Sequence, residues 1–385
     1  MIGDIVIAGG GLAAQRCAET LRRSGHDGRI VMVCEERSRP YDRPPLSKEA
    51  LHDGVDMDAL SFRPDAWYTD NDVELLLGTG ARGLRAEERV LELDGAPALH
   101  WDRLLIATGS RPRTLAQLAR FDNVTSLRDA GDARILSRVL RPGARLLIIG
   151  AGFIGQEAAS AARRAGADAT IIEAGAGPLS HILGSEVGAW LSAMHHSRGV
   201  TLHLSSEVDS VSGGREVGSV TLTDGSRVEC DHVLVAVGVT PSLDWLAGTP
   251  LGPGAIRADA DGGTSLPGVF AAGDCAATLD PALGMHVPGN HWESAARQGT
   301  RAAKAMLGLD APAPGISSFW SDLHGTRIQY LGHAQSADAV SFDGDREAHD
   351  FTATFTREGR PVAVLLAGRP QQLPQARQLL STTTR

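Results

Sequence analysis

Two stretches of this chain join an apolar run to closely spaced glycines, and that pairing of types is suited to holding phosphate. Residues 4–14 read DIVIAGGGLAA, giving Gly9-x-Gly11-x-x-Ala14, and residues 146–155 read LLIIGAGFIG, giving Gly150-x-Gly152-x-x-Gly155. In such a turn the first glycine allows a tight corner and the second lets backbone approach a pyrophosphate. The third small residue lets helix and strand pack closely, and the phosphates sit at the positive helix end. Each stretch has its acid at the end of the next apolar run, Glu35 after RIVMVC and Glu173 after ADATII. A carboxylate there accepts hydrogen bonds from ribose hydroxyls and repels a 2′-phosphate. A single glycine motif is weak, because such turns also serve as plain strand–helix corners. Two copies with strand, helix and acid in order point to two bound dinucleotides, a flavin and a nicotinamide, and hence to electron transfer.

The cysteines narrow the chemistry. Cys17, Cys34, Cys230 and Cys275 are all there are, and no two are close in sequence. With no CxxC or CxxxxC beside either glycine turn, electrons cannot pass through a neighbouring cysteine pair. Each is read as a small apolar residue of a helix or strand. The 13 histidines, His181 and the His195-His196 pair among them, form no metal-like spacing and are read as surface or satisfied core positions, so no metal is expected.

Positioning these residues requires a predictable series of elements. At 385 residues, with 42% apolar and 22% charged content, the chain has material for two or three domains. A first βαβ unit is expected over 3–35, with its helix at 12–24. The segment RSRPYDRPPLSKEAL (37–51) is interrupted by prolines before a helix beginning at Lys48. Short strands follow in 73–95, then a buried strand in WDRLLIATGSRPR (101–113), a loop and helix over 114–141, and a second βαβ unit over 144–173. VTLHLSSEV, SVTLTDG and RVECDHVLVAVGVTP then repeat VELLLG, RVLELDG and LHWDRLLIATGSRP in order and spacing, which indicates two similar nucleotide domains. LPGVFAAGDCAA (266–277) reads as another buried strand, 291–307 as a long helix and 308–315 as a linker. The last 70 or so residues alternate strand-like stretches, close with a helix near 371–381, and read as a small α+β domain.

The net charge of −9 argues against nucleic acid as a partner, and no apolar run approaches the roughly 20 residues that span a bilayer. The first strand begins almost at the N-terminus, leaving no room for a signal peptide. A soluble, cytoplasmic protein with no membrane partner is expected.

The motifs GGGLAA, YDRPPLSK, ATGSRPR, GAGFIGQEAA, AVGVTP, AAGDCA, HWESAARQG and FWSDLHGTRIQYLGHA carry a resemblance that spans the chain. It is to the pyridine-nucleotide-dependent flavoprotein reductases that feed electrons to ferredoxins or rubredoxins, including the reductase components of ring-hydroxylating oxygenase systems. In that family PPLSK stands where related disulfide reductases carry their cysteine pair. Departures are Ala14 for the usual glycine, and Gly368 before Arg369-Pro370 where relatives often have asparagine.

The resemblance implies a glutathione-reductase-like α/β fold. It would comprise a split FAD-binding domain (1–110 and 237–311), an inserted NAD-binding domain (111–236) and an α+β C-terminal domain (312–385). It further implies FAD at the first fingerprint, NADH at the second, and hydride transfer to the flavin followed by single electrons to an iron–sulfur or rubredoxin partner. Glu173 favours NADH over NADPH, since Ala174-Gly175-Ala176 offers no cation for a 2′-phosphate, although Arg163 and Arg164 on the preceding helix could supply one.

Residue by residue, Arg43 suits a bidentate grip on the FAD pyrophosphate. Lys48 would stabilise the anion formed on hydride uptake, or else be a solvated lysine. Asp274, after Gly273, would hold the ribityl chain. Glu157 would face the nicotinamide site and pair with Lys48, or simply answer the helix dipole. Trp292 and Trp320 would wall the flavin from water, or be interface core. Leu12, Ala13, Ala81, Ala107, Thr108, Gly109, Arg128, Phe153, Ile154 and Gly238 complete the cofactor-binding positions. Arg297, Arg301 and Lys304, at i, i+4 and i+7, form a basic stripe that would dock an acidic ferredoxin or be a solvated face. The same fold would also serve an NADH oxidase or quinone-type reductase, or a flavoprotein with a mainly binding, switch-like role.

Overall fold

The computed structural model describes residues 3–383 apart from Ala282 and Asn290. The chain divides into two compact units. The first is Met1–Asp42, Met57–Arg111 and Thr240–Ser317; the second is Arg43–Asp56, Pro112–Val239 and Ser318–Arg385.

In the first unit, the strand Ile5–Ala8 is the centre of a five-stranded parallel sheet. From one edge the order is Val269–Ala271, Arg103–Ile106, Ile5–Ala8, Ile30–Cys34 and Val73–Leu77. Ile5 sits opposite Ile30 on one side and Arg103 on the other. Because helices or smaller sheets cover both faces, the inner strands Ile5–Ala8 and Ile30–Cys34 are continuous buried apolar runs, whereas the edge strand Val73–Leu77 carries the exposed Glu74. The helix Leu12–Arg23 turns Ala13, Ala14, Cys17, Ala18 and Leu21 into that core. The helix Trp292–Met306 packs against it so closely that a Cβ at Gly299 would collide with the Ala13 carbonyl. The antiparallel strands Ala81–Arg85, Val90–Leu93 and Leu99–His100 form a smaller sheet.

The second unit repeats the plan. Its parallel sheet runs Val124–Thr125, His232–Val235, Arg145–Ile149, Asp168–Glu173, Thr201–Leu204; the last four repeat the order of the first sheet, while the edge strand comes first in sequence here and last there. Its antiparallel appendage, Val208–Gly213, Val217–Leu222 and Arg227–Glu229, matches the three short strands above. The repeat legible in the sequence is thus a repeat of topology.

Five antiparallel strands, Ser318–Leu323, Thr326–Gly332, Ala339–Asp345, Asp350–Arg357 and Arg360–Ala367, make a C-terminal sheet, followed by the helix Leu373–Thr383. Phe319, Leu323, Tyr330 and Phe351 pack on the helical run Ser180–Ser197 through Leu183, Val187, Trp190 and Met194. The fold is therefore α/β with parallel nucleotide-binding sheets and an antiparallel C-terminal sheet.

One local expectation fails. Lys48 does not open a helix; it lies between the 3₁₀ turn Pro44–Ser47 and the single turn Ala50–Asp53. Two successive prolines fix φ and remove N–H donors, so only a tight turn forms before Lys48.

Candidate functional site

In the first unit, Gly9 has φ +134°, and a Cβ there would collide with the Ala107 carbonyl, so the loop and the next strand end lie backbone to backbone. Gly11 begins the helix Leu12–Arg23 with no side-chain cap and no acid in the first turn. A Cβ at Gly11 would meet nothing within 4 Å. The first-turn N–H groups have no side-chain partner at the cap, and the space beside Gly11 is open, as an anion site requires. Ala14 is fully buried with its methyl accommodated, which explains its departure from glycine.

Glu35 stands exposed just beyond Ile30–Cys34, and Ala81 is half-buried at its strand's start. Thr108 Oγ1 donates to the Ser242 carbonyl at 2.8 Å, and Ser110 Oγ donates to Asp274 at 2.7 Å. The Gly273 N–H donates to Gln298 Oε1 at 2.7 Å, and Gly109 has φ +69°. Trp292 is half-buried, its Nε1 donating to Asp42 at 2.7 Å.

In the second unit, Gly150 (φ +102°) abuts the Ala236 carbonyl, and a Cβ at Gly155 would collide with the Gly150 carbonyl. Here the third position must be glycine. Gly152 starts the helix Phe153–Arg164, again without a side-chain cap or a first-turn acid. Glu173 accepts from the N–H groups of Ala151 and Gly175, each at 2.7 Å, so its carboxylate sits against the second glycine loop. The Gly238 carbonyl accepts from the Arg113 N–H at 2.9 Å. Phe153 lies edge-on to Phe319, and Ile154 beside it is half-buried. Arg43 Nη1 donates to the Arg128 carbonyl at 2.7 Å, while the Arg128 N–H donates to Asp132 at 2.7 Å.

The same unit joins Lys48 to Glu157. Lys48 Nζ donates to Glu157 Oε1 at 2.8 Å, and Ser321 Oγ donates to the same oxygen at 2.7 Å. Ser47 Oγ donates to Oε2. Glu157 is 5% exposed, so its charge is held by one cation and two hydroxyls rather than by water. A cavity of about 580 Å³ opens beside the pair and is also lined by Ser160, Arg164 and His324. Alternation along Ser318–Leu323 sends Ser321 to the Glu157 side and the half-buried Trp320 to the other.

Sequence reasoning did not find Ser47 or Ser321, whose pairing depends on strand placement; the PPLSK and FWSD motifs contain both without marking them. Nor did it anticipate the contact between His195 and His324, which lie 129 residues apart.

The basic stripe is corrected. Arg301 is 7% exposed: its guanidinium donates to the carbonyls of Ala260 and Pro312 and pairs with Asp261. Arg297 donates to Glu293 and to the Ile316 carbonyl, and Lys304 is half-buried. Helical spacing aligned the three residues, but the loops around 260 and 312 cover the middle one, so they are not one open basic face. All four cysteines are buried as free thiols, with burial pushing Cys34 up to about 12 and Cys230 and Cys275 up to about 11. Among the described residues, no helix is long and apolar enough to cross a membrane.

Comparison with known proteins agrees with this geometry. Residues 3–299 match the family described as pyridine nucleotide-disulphide oxidoreductase, and residues 318–385 match the reductase C-terminal family. The ferredoxin–NAD(+) reductase subunit of the benzene 1,2-dioxygenase system of Pseudomonas putida is 33% identical, covering 99% of this chain and 93% of its own. The corresponding component of the biphenyl dioxygenase system of Paraburkholderia xenovorans is 35% identical, covering 95% and 87%. A chain of the covalent putidaredoxin reductase–putidaredoxin complex superposes with a TM-score of 0.96 at 28% identity, covering 99% of this chain and 93% of that one.

Proposed function

This chain belongs to the pyridine nucleotide-disulphide oxidoreductase family, and from that premise we propose that it is an FAD-dependent NADH:ferredoxin reductase of the cytoplasm that serves an oxygenase. The observation that carries this reading is the pair of glycine loops, each opening a helix whose first-turn N–H groups have no side-chain cap. The helix Trp292–Met306 also lacks a side-chain cap, so it is the combination with a glycine loop that marks the two sites. Uncapped donors over open space fit dinucleotide pyrophosphates. The distant, buried cysteines argue against a disulfide in the electron path, which is what separates a ferredoxin reductase from the disulfide reductases that share the family name.

When bound at the first loop, FAD would supply the chemistry that turns a two-electron hydride donor into single electrons. The domain limits that go with this assignment are 1–110 with 237–311 for FAD, 111–236 for NAD and 312–385 for the C-terminal part. Gly9, Gly11, Leu12, Ala13, Ala14 and Glu35 cradle the flavin nucleotide, and Asp274 orients its ribityl chain. Gly150, Gly152, Gly155 and Glu173 cradle NADH. Lys48 would supply a cation for charge developing on the flavin, and Glu157, 2.8 Å from its Nζ, would keep that cation in place. Glu173 selects NADH, because its carboxylate would repel a 2′-phosphate. The acceptor is a small iron–sulfur ferredoxin, the partner class that the names of the relatives suggest, with a rubredoxin as the alternative.

An acceptor panel at fixed NADH tests the reading. Fast turnover with a ferredoxin and slow turnover with air or quinone is expected. Fast turnover with air or quinone alone would instead identify an oxidase, and none with any acceptor a binding protein.

A further inference from the structure

Behind the second glycine loop runs a chain of hydrogen bonds that electron transfer does not use. Gln156 follows Gly155 and is fully buried. Its Nε2 donates to the Ala151 carbonyl at 3.0 Å and approaches the Gly152 carbonyl at 3.5 Å, both main-chain oxygens of the loop itself. Its Oε1 lies 3.2 Å from Nε2 of His195, which is also fully buried. Nδ1 of His195 lies 3.0 Å from Nε2 of His324. His324 occupies the turn between Ser318–Leu323 and Thr326–Gly332, and its N–H donates to Ser160 Oγ at 2.8 Å.

The loop end fixes every proton. Carbonyl oxygens only accept, so Gln156 must turn its amide nitrogen to the loop and its oxygen to His195. His195 must then carry its proton on Nε2. A neutral imidazole has one N–H, so its Nδ1 accepts, and His324 must donate from Nε2. Desolvation keeps His195 neutral, bringing it down to about 3, and brings His324 down to about 4.

We propose that Gln156, His195 and His324 form a positioning relay that holds the second glycine loop in its dinucleotide-binding shape by tying its carbonyls to the turn of the C-terminal sheet. The first fingerprint gives the internal contrast. Gln15 occupies the same position and is equally buried, but its Nε2 donates to Glu19 at 3.1 Å and its Oε1 accepts from Tyr68 at 2.7 Å. In the first loop the Gly9 carbonyl meets the Cys34 thiol at 4.0 Å, whereas the carbonyls of the second loop are braced by Gln156. Given the functional reading above, this is the loop that must release and rebind its ligand at every turnover, where a preformed shape lowers the cost of binding.

The relay depends on a donor at His324, which separates it from mere packing. His324→Leu removes that donor, whereas His324→Gln places an amide nitrogen where Nε2 stands. In the flavin-loaded protein, His324→Leu and Gln156→Leu should weaken NAD⁺ binding in calorimetry about 3- to 10-fold, the effect of one lost neutral hydrogen bond. Flavin content should stay unchanged, and His324→Gln should bind within about twofold of the parent protein. Equal binding in all variants, or equal weakening by His324→Gln and His324→Leu, overturns the relay. Long-range ¹H–¹⁵N spectra of histidine-labelled protein give an independent reading: both rings should be neutral Nε2–H tautomers, and an Nδ1–H tautomer at His195 overturns the proposal. A parent protein that holds FAD but binds no NAD⁺ would count against the functional reading, and the tautomer spectrum would still decide the relay.

Discussion

Lys48 Nζ lies 2.8 Å from Glu157 Oε1 across 109 residues of chain, and both side chains are largely removed from water. A buried pair contributes little net stability when intact but much when broken, because the survivor is left uncompensated. Lys48→Met should destabilise the protein by about 1–3 kcal/mol, below the full penalty for a buried charge because Ser47 and Ser321 still donate to Glu157. Adding Glu157→Gln should recover part of that loss. Urea unfolding of both singles and the double checks this, and simple additivity would show that the two groups are not coupled. Both singles should also slow reduction of the flavin by NADH.

Coenzyme choice rests on Glu173. Its oxygens already accept from Ala151 and Gly175 N–H groups, so its carboxylate is held at the end of its strand, against the loop. Glu173→Ala should reduce the preference for NADH over NADPH, measured as the ratio of kcat/KM values, by about 1–3 kcal/mol. An unchanged ratio would remove Glu173 from coenzyme selection.

Arg301 is a structural residue. Three protein acceptors surround its guanidinium, so Arg301→Ala should lower stability by about 1–3 kcal/mol through the unsatisfied Ala260 and Pro312 carbonyls, the half-exposed Asp261 adding little. The salt dependence of ferredoxin-coupled turnover should match that of the parent protein. A selective loss of that salt dependence with stability intact would restore the docking role.

What the sequence disclosed follows the range of the interactions. The glycine loops were legible because their turns are local, set by Gly9, Gly11, Gly150, Gly152 and Gly155 within a few residues. The strand repeat was legible for the same reason. The Lys48–Glu157 pair was reached through resemblance, since nothing local joins positions so far apart. Ser321, 164 residues from Glu157, gave no such sign. Arg301 misled because i, i+4 spacing is identical for a solvated stripe and for a buried arginine covered by distant loops.

His195 and His324 predict a pH dependence. His195 is lowered by desolvation first, then by His324 and His196; His324 by desolvation, then by Arg198, His349 and Arg163. A depressed folded-state value means the unfolded chain binds the extra proton. The associated stability is present above the ordinary value near 6.5 and is lost as pH falls toward 3–4. For His195 the slope approaches about 1.4 kcal/mol per pH unit. Unfolding curves between pH 7 and pH 5 should therefore be flatter for His195→Gln than for the parent protein, and parallel curves would mean that His195 is already charged in the folded state.

Anaerobic stopped-flow spectroscopy of the flavin-loaded protein tests the central claim most directly. NADH should bleach the flavin absorbance in a fast phase, and a second mix with an oxidised iron–sulfur ferredoxin should restore it while the ferredoxin is reduced one electron at a time. Failure of NADH to bleach a bound flavin, or recovery of the flavin with oxygen or quinone but not with any ferredoxin or rubredoxin, would contradict the assignment.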